Sequence, residues 1–336
     1  MRFDVVMPAF NEAAHIDAAL DSVFASDWDG FDVYVVDAGS EDDTVEVLRR
    51  RSEPNLHVIT GRGRLNAAMA FNAGCAEGSA PWIARVDAHS TIAPDYLRRA
   101  AEAIASEDDR LGCVGGQPEQ VGETDFGRAV ALARASKFGV GGSVYSDRRE
   151  RAYVDTVQCG VYSRAALEEV GGFRTDMLVG EDEEVNWRLK EAGYTILLDT
   201  ALRFVYVPRG TWEGLFRQHR NYGKSRVRVL SVHPEMFSPR HMAPGVLVGG
   251  GGVLLAAAPV SRAARVLLAA GAAAYVGGAV VAGRAAARSA PELAPQVSLA
   301  FTGLHAGYGV GLLEGGWELA LARLGLREPA VAVRAR

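Results

Sequence analysis

Along the N-terminal part of the chain, short apolar runs alternate with stretches of helical spacing. Residues 3–7 (FDVVM), ended by Pro8, predict a buried parallel strand. Residues 12–26 carry Ile16, Leu20, Val23 and Phe24 on one helical face. A second strand follows at 31–36 (FDVYVV), ending at Asp37, and a second helix at 41–51, with Ser40 or Asp42 as its N-cap. The pattern repeats with a strand at 56–60, a helix at 64–76 and a strand at 81–86. This alternation predicts a doubly wound parallel sheet with right-handed crossovers. Ligands of such sheets sit beyond the carboxyl ends of the strands. The tips there are Pro8-Ala9-Phe10-Asn11-Glu12, Asp37-Ala38-Gly39-Ser40 and Asp87-Ala88-His89, which are expected to converge on one crevice.

Further along, 94–106 and 181–192 read as helices, 112–118 as a strand, and 158–173 as strand, helix and glycine turn. Residues 195–207 read as a strand pair and 211–230 as a basic amphipathic helix. The Gly-, Ser- and Arg-rich stretch 123–152 is expected to be a flexible acceptor-side loop. After Pro234 the pattern changes. Residues 244–260 and 266–283 carry no charge, and each approaches the roughly 20 residues that span a bilayer. A third apolar segment, 295–322, includes Glu314 and Glu318 and is a weaker span. The expected division is a catalytic domain over 1–232 and a membrane-associated region of two or three apolar helices over 233–336. Small residues suit close helix packing in lipid. Arg217, Arg220, Lys224, Arg226, Arg228 and Arg240 precede the first span, which by the positive-inside tendency keeps the N-terminal domain cytoplasmic.

Composition agrees with that division. Hydrophobic residues make up 49% of the 336, and the excess lies at the C-terminal end. A formal net charge of -5 argues against a nucleic-acid partner. Cys75, Cys113 and Cys159 lie far apart, without the spacing of a zinc site or a disulfide framework. The N-terminus reaches acidic and turn residues too soon for a signal peptide. No GxxxxGK[ST] is present, and Pro-Ala-Phe-Asn-Glu stands where a dinucleotide-binding fold needs GxGxxG.

Seven segments occur in an order that resembles the family 2 glycosyltransferases. They are VVMPAFNE (5–12), VVDAGSEDDT (35–44), GRGRLNAAMAFNAG (61–74), ARVDAH (84–89), GGF (171–173), GEDEEVNWRLKEAGY (180–194) and RQHRNYGKSR (217–226). The RVDAH and GEDEE variants, with apolar C-terminal segments, look like the succinoglycan-biosynthesis type. The resemblance implies an α/β GT-A fold, a doubly wound mixed sheet, with C-terminal transmembrane helices.

It also implies roles. Pro8, Ala9, Asn11, Glu12, Asp37, Ser40, Arg64 and Arg85 would meet the nucleotide sugar, with Gln218, Arg220 and Lys224 of the basic helix at its diphosphate. The bland alternatives are a βα-turn cap for Asp37, a first-turn residue favoured by the helix dipole for Glu12, and a lipid-facing interfacial helix for the basic residues. Asp87 and His89 stand at the DxD position. On a strand end, positions i and i+2 point the same way, so both would meet one Mn²⁺ or Mg²⁺. His89 in place of an aspartate either favours Mn²⁺ or leaves the histidine as a phosphate contact. Asp182 would be the general base of an inverting transfer, its pKa raised by Glu181, Glu183 and Glu184, and Glu181 would position the acceptor.

The resemblance therefore implies a hexosyltransferase of the inner membrane, with its catalytic domain in the cytoplasm. It would move glucose from UDP-glucose to a lipid-linked saccharide in exopolysaccharide or envelope glycan synthesis. A polyprenyl-phosphate mannosyltransferase and a catalytically silent nucleotide-sugar-binding scaffold are the alternatives.

Overall fold

The structure is a computed structural model that describes residues 1–140, 151–177 and 179–326. The described residues form two units, the first over 1–119 and 151–206 and the second over 120–140 and 207–326.

The first unit opens with β1 (Phe3–Ala9), α1 (Ile16–Phe24), β2 (Phe31–Asp37), α2 (Thr44–Arg49), β3 (Leu56–Ile59), α3 (Ala67–Glu77) and β4 (Trp82–Arg85). β5 (Ser90–Ile92), α4 (Tyr96–Ala105) and β6 (Leu111–Gln120) complete its first half. Val5, Val6 and Met7 of β1 are fully buried, as a strand covered on both faces requires. Strands β3, β2, β1 and β4 run parallel, as the alternation predicts.

Beyond them the sheet changes sense. α5 (Asp125–Ala135) and α6 (Lys137–Val140) belong to the second unit, and the chain returns to the first as β7 (Ala152–Tyr153), β8 (Gln158–Ser163), α7 (Arg164–Glu169), α8 (Glu181–Glu191) and β9 (Thr195–Tyr206). The sheet order is β3-β2-β1-β4-β8-β6-β9-β5, with β7 also on β9. β8 runs antiparallel to both β4 and β6, and β9 antiparallel to β5 and β7. The sheet is therefore mixed.

Four details differ from the expectations. β9 is one 12-residue strand where a pair was expected, because it serves successive neighbours along its length. Much of 123–152 is helix: Thr124 caps α5 by accepting from Gly127 N–H, and only 141–150 lies outside the described residues. α2 starts at Thr44, and neither Ser40 nor Asp42 caps it. Ser40 Oγ accepts from Asn11 N–H, and Asp42 accepts from the N–H groups of Ala13 and Thr44. α3 starts at Ala67 with Asn66 as its cap, so Arg64 lies in the preceding loop rather than at the helix opening.

The second unit holds α9 (Trp212–Val232), α10 (Pro239–Ala257), α11 (Arg262–Ala286) and α12 (Ala294–Arg323), with α5 and α6. Among the described residues one helix, α11, is long and apolar enough to cross a membrane. α10 opens on Pro-Arg-His and carries Pro244 and four consecutive glycines, which lower its mean hydropathy. α12 is a core element. Its Val297, Ala300, Phe301 and Leu304 pack with Ala129, Val130 and Leu215 in one apolar cluster. Its glycines at 303, 307, 311 and 315 face α9. A Cβ on Gly307 would lie 2.5 Å from the Phe216 carbonyl oxygen, and one on Gly311 2.0 Å from that of Arg220. The small-residue pattern expected for lipid here serves a close approach to a charged helix.

Candidate active site

The β1 and β2 tips are laced together. Asn11 takes a left-handed backbone (φ 55°); its N–H donates to Ser40 Oγ at 2.9 Å, and its side-chain oxygen accepts from Glu41 N–H at 2.8 Å. Glu12 N–H donates to Thr44 Oγ1 at 2.8 Å. Pro8 and Ala9 close β1, and the Ala9 carbonyl accepts from Ala38 N–H. Asp37, 5% exposed, accepts from Gly39 and Ser40 N–H, one on each carboxylate oxygen. It therefore shapes its own βα turn and keeps acceptor capacity, since each oxygen carries two lone pairs. Arg64 lies over the Phe10 ring, 4.7 Å from its centroid, and pairs with Glu41. Glu12 spans two imidazoles, 3.0 Å from His89 Nδ1 and 3.1 Å from His15 Nδ1.

At the end of β4, Asp87 and His89 do not lie on the strand. β4 stops at Arg85, and a turn closed by Ser90 N–H to the Asp87 carbonyl carries Ala88 and His89. The alternation argument for a shared direction therefore does not apply. What brings Asp87 and His89 into electrical contact is the turn. Burial works against the Asp87 charge, but Arg85 and then His89 outweigh it and hold the carboxyl below its usual range. The Asp87 side chain keeps 34% of its surface open.

Arg85 reaches in two directions. Its Nε donates to Asp87 Oδ1 at 3.1 Å and its Nη2 to Glu181 Oε1 at 2.9 Å. Its guanidinium carbon lies 5.8 Å from the Phe71 ring centroid and 5.7 Å from that of Phe173. Nη1 is buried and has no hydrogen-bond partner among the described residues. This one side chain brings the β4 tip and the start of α8 together.

α8 opens behind Gly180, whose φ of 80° suits glycine. Four acids follow, and the structure separates their duties. Glu181 is buried against Arg85. Asp182 accepts from Glu183 N–H at 2.8 Å. Burial, then Glu181 and Glu183, push its carboxyl up to about 7 against the pull of Arg85. Glu184 faces elsewhere. Fully buried, it forms a two-point pair with Arg188, which also donates to the carbonyls of Val170 and Gly172. Glu184 is thus neutralised by Arg188 instead of repelling Asp182.

The glycine turn after α7 is clipped to α3. Asn72 exchanges two bonds with the Phe173 main chain, and Asn66 Nδ2 donates to the Thr175 carbonyl. Sequence reasoning gave no role to Phe71, Phe173, Arg188 or Tyr162, whose ring meets that of Phe173 edge to face. Phe71, Phe173 and Arg188 fall within the family-like segments 61–74, 171–173 and 180–194, which was the only hint to them. Cys159 (φ 47°), beside Asp87 and Arg85, accepts at its carbonyl from the buried Tyr96 hydroxyl.

Gln218, Arg220 and Lys224 lie on α9 in the second unit. There Gln218 donates to the Tyr222 hydroxyl, Arg220 pairs with Glu314 at 2.7 Å, and Lys224 pairs with Glu318 at 2.9 Å. The acids that weakened the third apolar segment as a span are the counter-charges of this helix.

Among the described residues no cluster of three His, Cys, Asp or Glu could hold a metal ion. Asp87, with one oxygen held by Arg85, and the His89 imidazole suit Mn²⁺ by donor type, as two protein ligands whose remaining partners a bound diphosphate and water would supply. The residues fit a cation that arrives with its nucleotide.

A sequence profile described as Glycosyl transferase family 2 matches residues 4–171. Succinoglycan biosynthesis protein ExoA of Rhizobium meliloti (strain 1021) is 31% identical over 246 residues, covering 71% of this chain and 73% of that protein. The Methanococcus voltae dolichyl N-acetyl-alpha-D-glucosaminyl phosphate 3-beta-D-2,3-diacetamido-2,3-dideoxy-beta-D-glucuronosyltransferase is 24% identical over 232 residues, 66% of this chain and 72% of that one. Among solved structures, mannosyltransferase PcManGT from Pyrobaculum calidifontis, in complex with GDP-Man and Mn²⁺, superposes with a TM-score of 0.66 at 22% identity, over 94% of this chain and 87% of that one. S. aureus TarS 1-349 in complex with UDP-GlcNAc gives 0.52 at 15% identity, over 98% and 93%. These likenesses bear out the GT-A fold with its mixed sheet.

Proposed function

The chain belongs to glycosyl transferase family 2, and on that premise we propose that it moves a hexose, glucose from UDP-glucose in the first instance, to a hydroxyl of a lipid-linked saccharide, with inversion at the anomeric carbon. The observation that carries this reading is the environment of Asp182. A carboxyl pushed up to about 7, linked through Glu181 and Arg85 to Asp87, is matched in basicity to neutral-pH proton abstraction.

In this reading Asp182 takes the proton of the acceptor hydroxyl as its oxygen attacks the anomeric carbon. The bond from that carbon to the diphosphate oxygen breaks, and the nucleoside diphosphate leaves with the electron pair. Glu181 orients the acceptor side. Pro8, Ala9, Asn11, Glu12, Asp37 and Ser40 hold the nucleoside, and Arg64 serves the diphosphate. Asp87 and His89 would hold Mn²⁺ or Mg²⁺, whose chemistry when bound is to neutralise charge on the departing diphosphate. The names of the relatives support a glycan or lipid-linked product: one is a succinoglycan biosynthesis protein, and the other is named as a transferase onto a dolichyl-phosphate-linked sugar. α11 and the cationic residues ahead of α10 support an inner-membrane enzyme, 1–232 catalytic and cytoplasmic and 233–336 membrane-associated.

GDP-mannose is the competing donor, because a structural neighbour was solved with it. A polyprenyl phosphate acceptor would already be ionised and would need no base. A donor panel decides among these. The purified full chain with Mn²⁺ is given UDP-glucose, UDP-GlcNAc, UDP-galactose and GDP-mannose with a lipid-linked saccharide, and release of nucleoside diphosphate is followed. UDP-hexose turnover that stops with chelator is the expected result. Full rate in Asp182→Asn would point to the phosphate acceptor. Binding without turnover for every donor would leave a silent scaffold.

A further inference from the structure

Arg85 is 11% exposed at its side chain and is enclosed by two acids and two aromatic rings. A guanidinium buried between carboxylates gives up much of its hydration, and apolar side chains of like volume often stabilise as well. Its use therefore lies in geometry. The planar fork offers separate nitrogens at fixed angles. Here Nε goes to Asp87 Oδ1 and Nη2 to Glu181 Oε1. The neighbours of the fork are themselves tied to α8. Phe173, against one side of Arg85, is fixed through the glycine turn, whose carbonyls at 170 and 172 accept from Arg188 of α8. α3 holds the same turn through Asn72, one residue beyond Phe71. The circuit closes: β4 tip, Arg85, first turn of α8, Arg188, glycine turn, Phe173, Arg85.

We infer that Arg85 is a positioning residue that couples occupation of the Asp87 turn to the placement of Asp182 on α8. The inference rests on the transferase reading above. A cation at the Asp87 carboxylate competes with Arg85 Nε for that carboxylate's charge. Glu181 then becomes the stronger partner of the guanidinium, and the two aromatic rings, which lie together on one side of it, back its shift toward α8. The first turn of α8, with Asp182 beside Glu181, follows that shift. Nη1, buried and without a hydrogen-bond partner among the described residues, is the donor left over to respond. A lysine in this place would carry the charge without the two-way geometry. The base is thus drawn into place when donor and cation are present, so the acceptor is activated only opposite a loaded donor.

Hydrogen exchange followed by mass spectrometry on the full chain in detergent micelles tests this, with Mn²⁺ plus UDP as the probe. In the wild type, peptides covering 181–187 are expected to exchange more slowly once the probe binds. In Arg85→Lys the probe still binds but that protection is lost, and kcat falls roughly 10- to 100-fold while KM for the donor holds. Glu181→Gln removes the charge at the other end of the link and keeps Arg85 paired with Asp87, so it should behave alike. Protection that persists in both variants overturns the inference, as does a loss confined to KM for the donor. A wild type that binds the probe without slowing 181–187 sinks the coupling alone. A wild type that binds neither Mn²⁺–UDP nor Mn²⁺–GDP sinks the transferase reading and the coupling together.

Discussion

Asn72 and Phe173 exchange two hydrogen bonds: the Asn72 amide donates to the Phe173 carbonyl at 2.7 Å, and its side-chain oxygen accepts from Phe173 N–H at 3.0 Å. The side chain of a mid-helix residue thus stands in for a strand partner. It anchors the Phe173 backbone where its ring lies 4.7 Å from that of Phe71 between centroids and against Arg85.

Asn72→Ala should therefore reach further than its place on α3 suggests. It orphans a partly buried carbonyl and N–H, which costs about 1–3 kcal/mol. Thermal unfolding should register that loss, and transfer rate should fall with it, because Phe173 no longer braces Arg85. An Asn72→Ala protein with wild-type kcat would show that the glycine turn is a matter of stability alone.

Asp182 ties activity and stability to pH with opposite signs. As the proposed base it must be ionised, so the rate should rise as pH passes about 7. For stability, the folded state keeps the proton up to about 7, whereas the unfolded carboxyl releases it near 3.8. The folded state binds more protons in that window, so this group's contribution is fully present below the unfolded value and is lost as pH rises through the folded one. Asp182→Asn should remove roughly 10²- to 10⁴-fold of the rate. The same change should raise the melting temperature at pH 8 and leave it unaltered near pH 4. A variant that is less stable at pH 8 would contradict the raised carboxyl.

Asp87 and His89 should part company on substitution. Asp87→Ala is expected to abolish transfer and to remove the response to chelator. Imidazole suits Mn²⁺ better than Mg²⁺. His89→Ala should therefore cost more activity with Mn²⁺ than with Mg²⁺, measured as nucleoside diphosphate released at saturating donor. Equal losses with both metals would move His89 to a phosphate-contact role.

The α9–α12 contact makes a paired prediction within one helix. Gly311→Ala places a methyl 2.0 Å from the Arg220 carbonyl oxygen and should destabilise by roughly 1–3 kcal/mol, as overpacking does. Gly316→Ala meets nothing within 4 Å and should stabilise by up to about 1 kcal/mol through helix propensity. Tryptophan-monitored thermal unfolding in micelles separates the two. If both glycines tolerate alanine equally, the close approach is not required.

How much of this was legible follows from the range of the interactions. β1, β2, β3 and β4 could be read because an apolar run ended by a turn residue is a local signal, and a parallel α/β unit repeats it. The acids at 37, 87 and 182 were legible for the same reason, each standing where such a run or helix stops or starts. The antiparallel half of the sheet came through the family resemblance alone, because β8 and β9 carry no local mark of which neighbour they will join. Asp87 and His89 could be named from their order in the chain, but their geometry was misjudged, since strand alternation gives no account of a turn.

α12 shows the limit most clearly. Glycines every fourth residue among apolar neighbours have the same composition whether they face lipid or the main chain of a charged helix, and only the packed structure distinguishes the two. The pairing of Arg85 with Glu181 spans 96 residues of chain and depends on where α8 docks. The sequence by itself determined which segments become strands and helices and which ionisable groups stand at their ends, because those preferences act over a few neighbouring residues. Which of the four acids of α8 has its carboxyl raised, which is neutralised and which pairs with Arg85 was decided by tertiary structure alone, because burial and charge pairing depend on neighbours that the chain order does not supply.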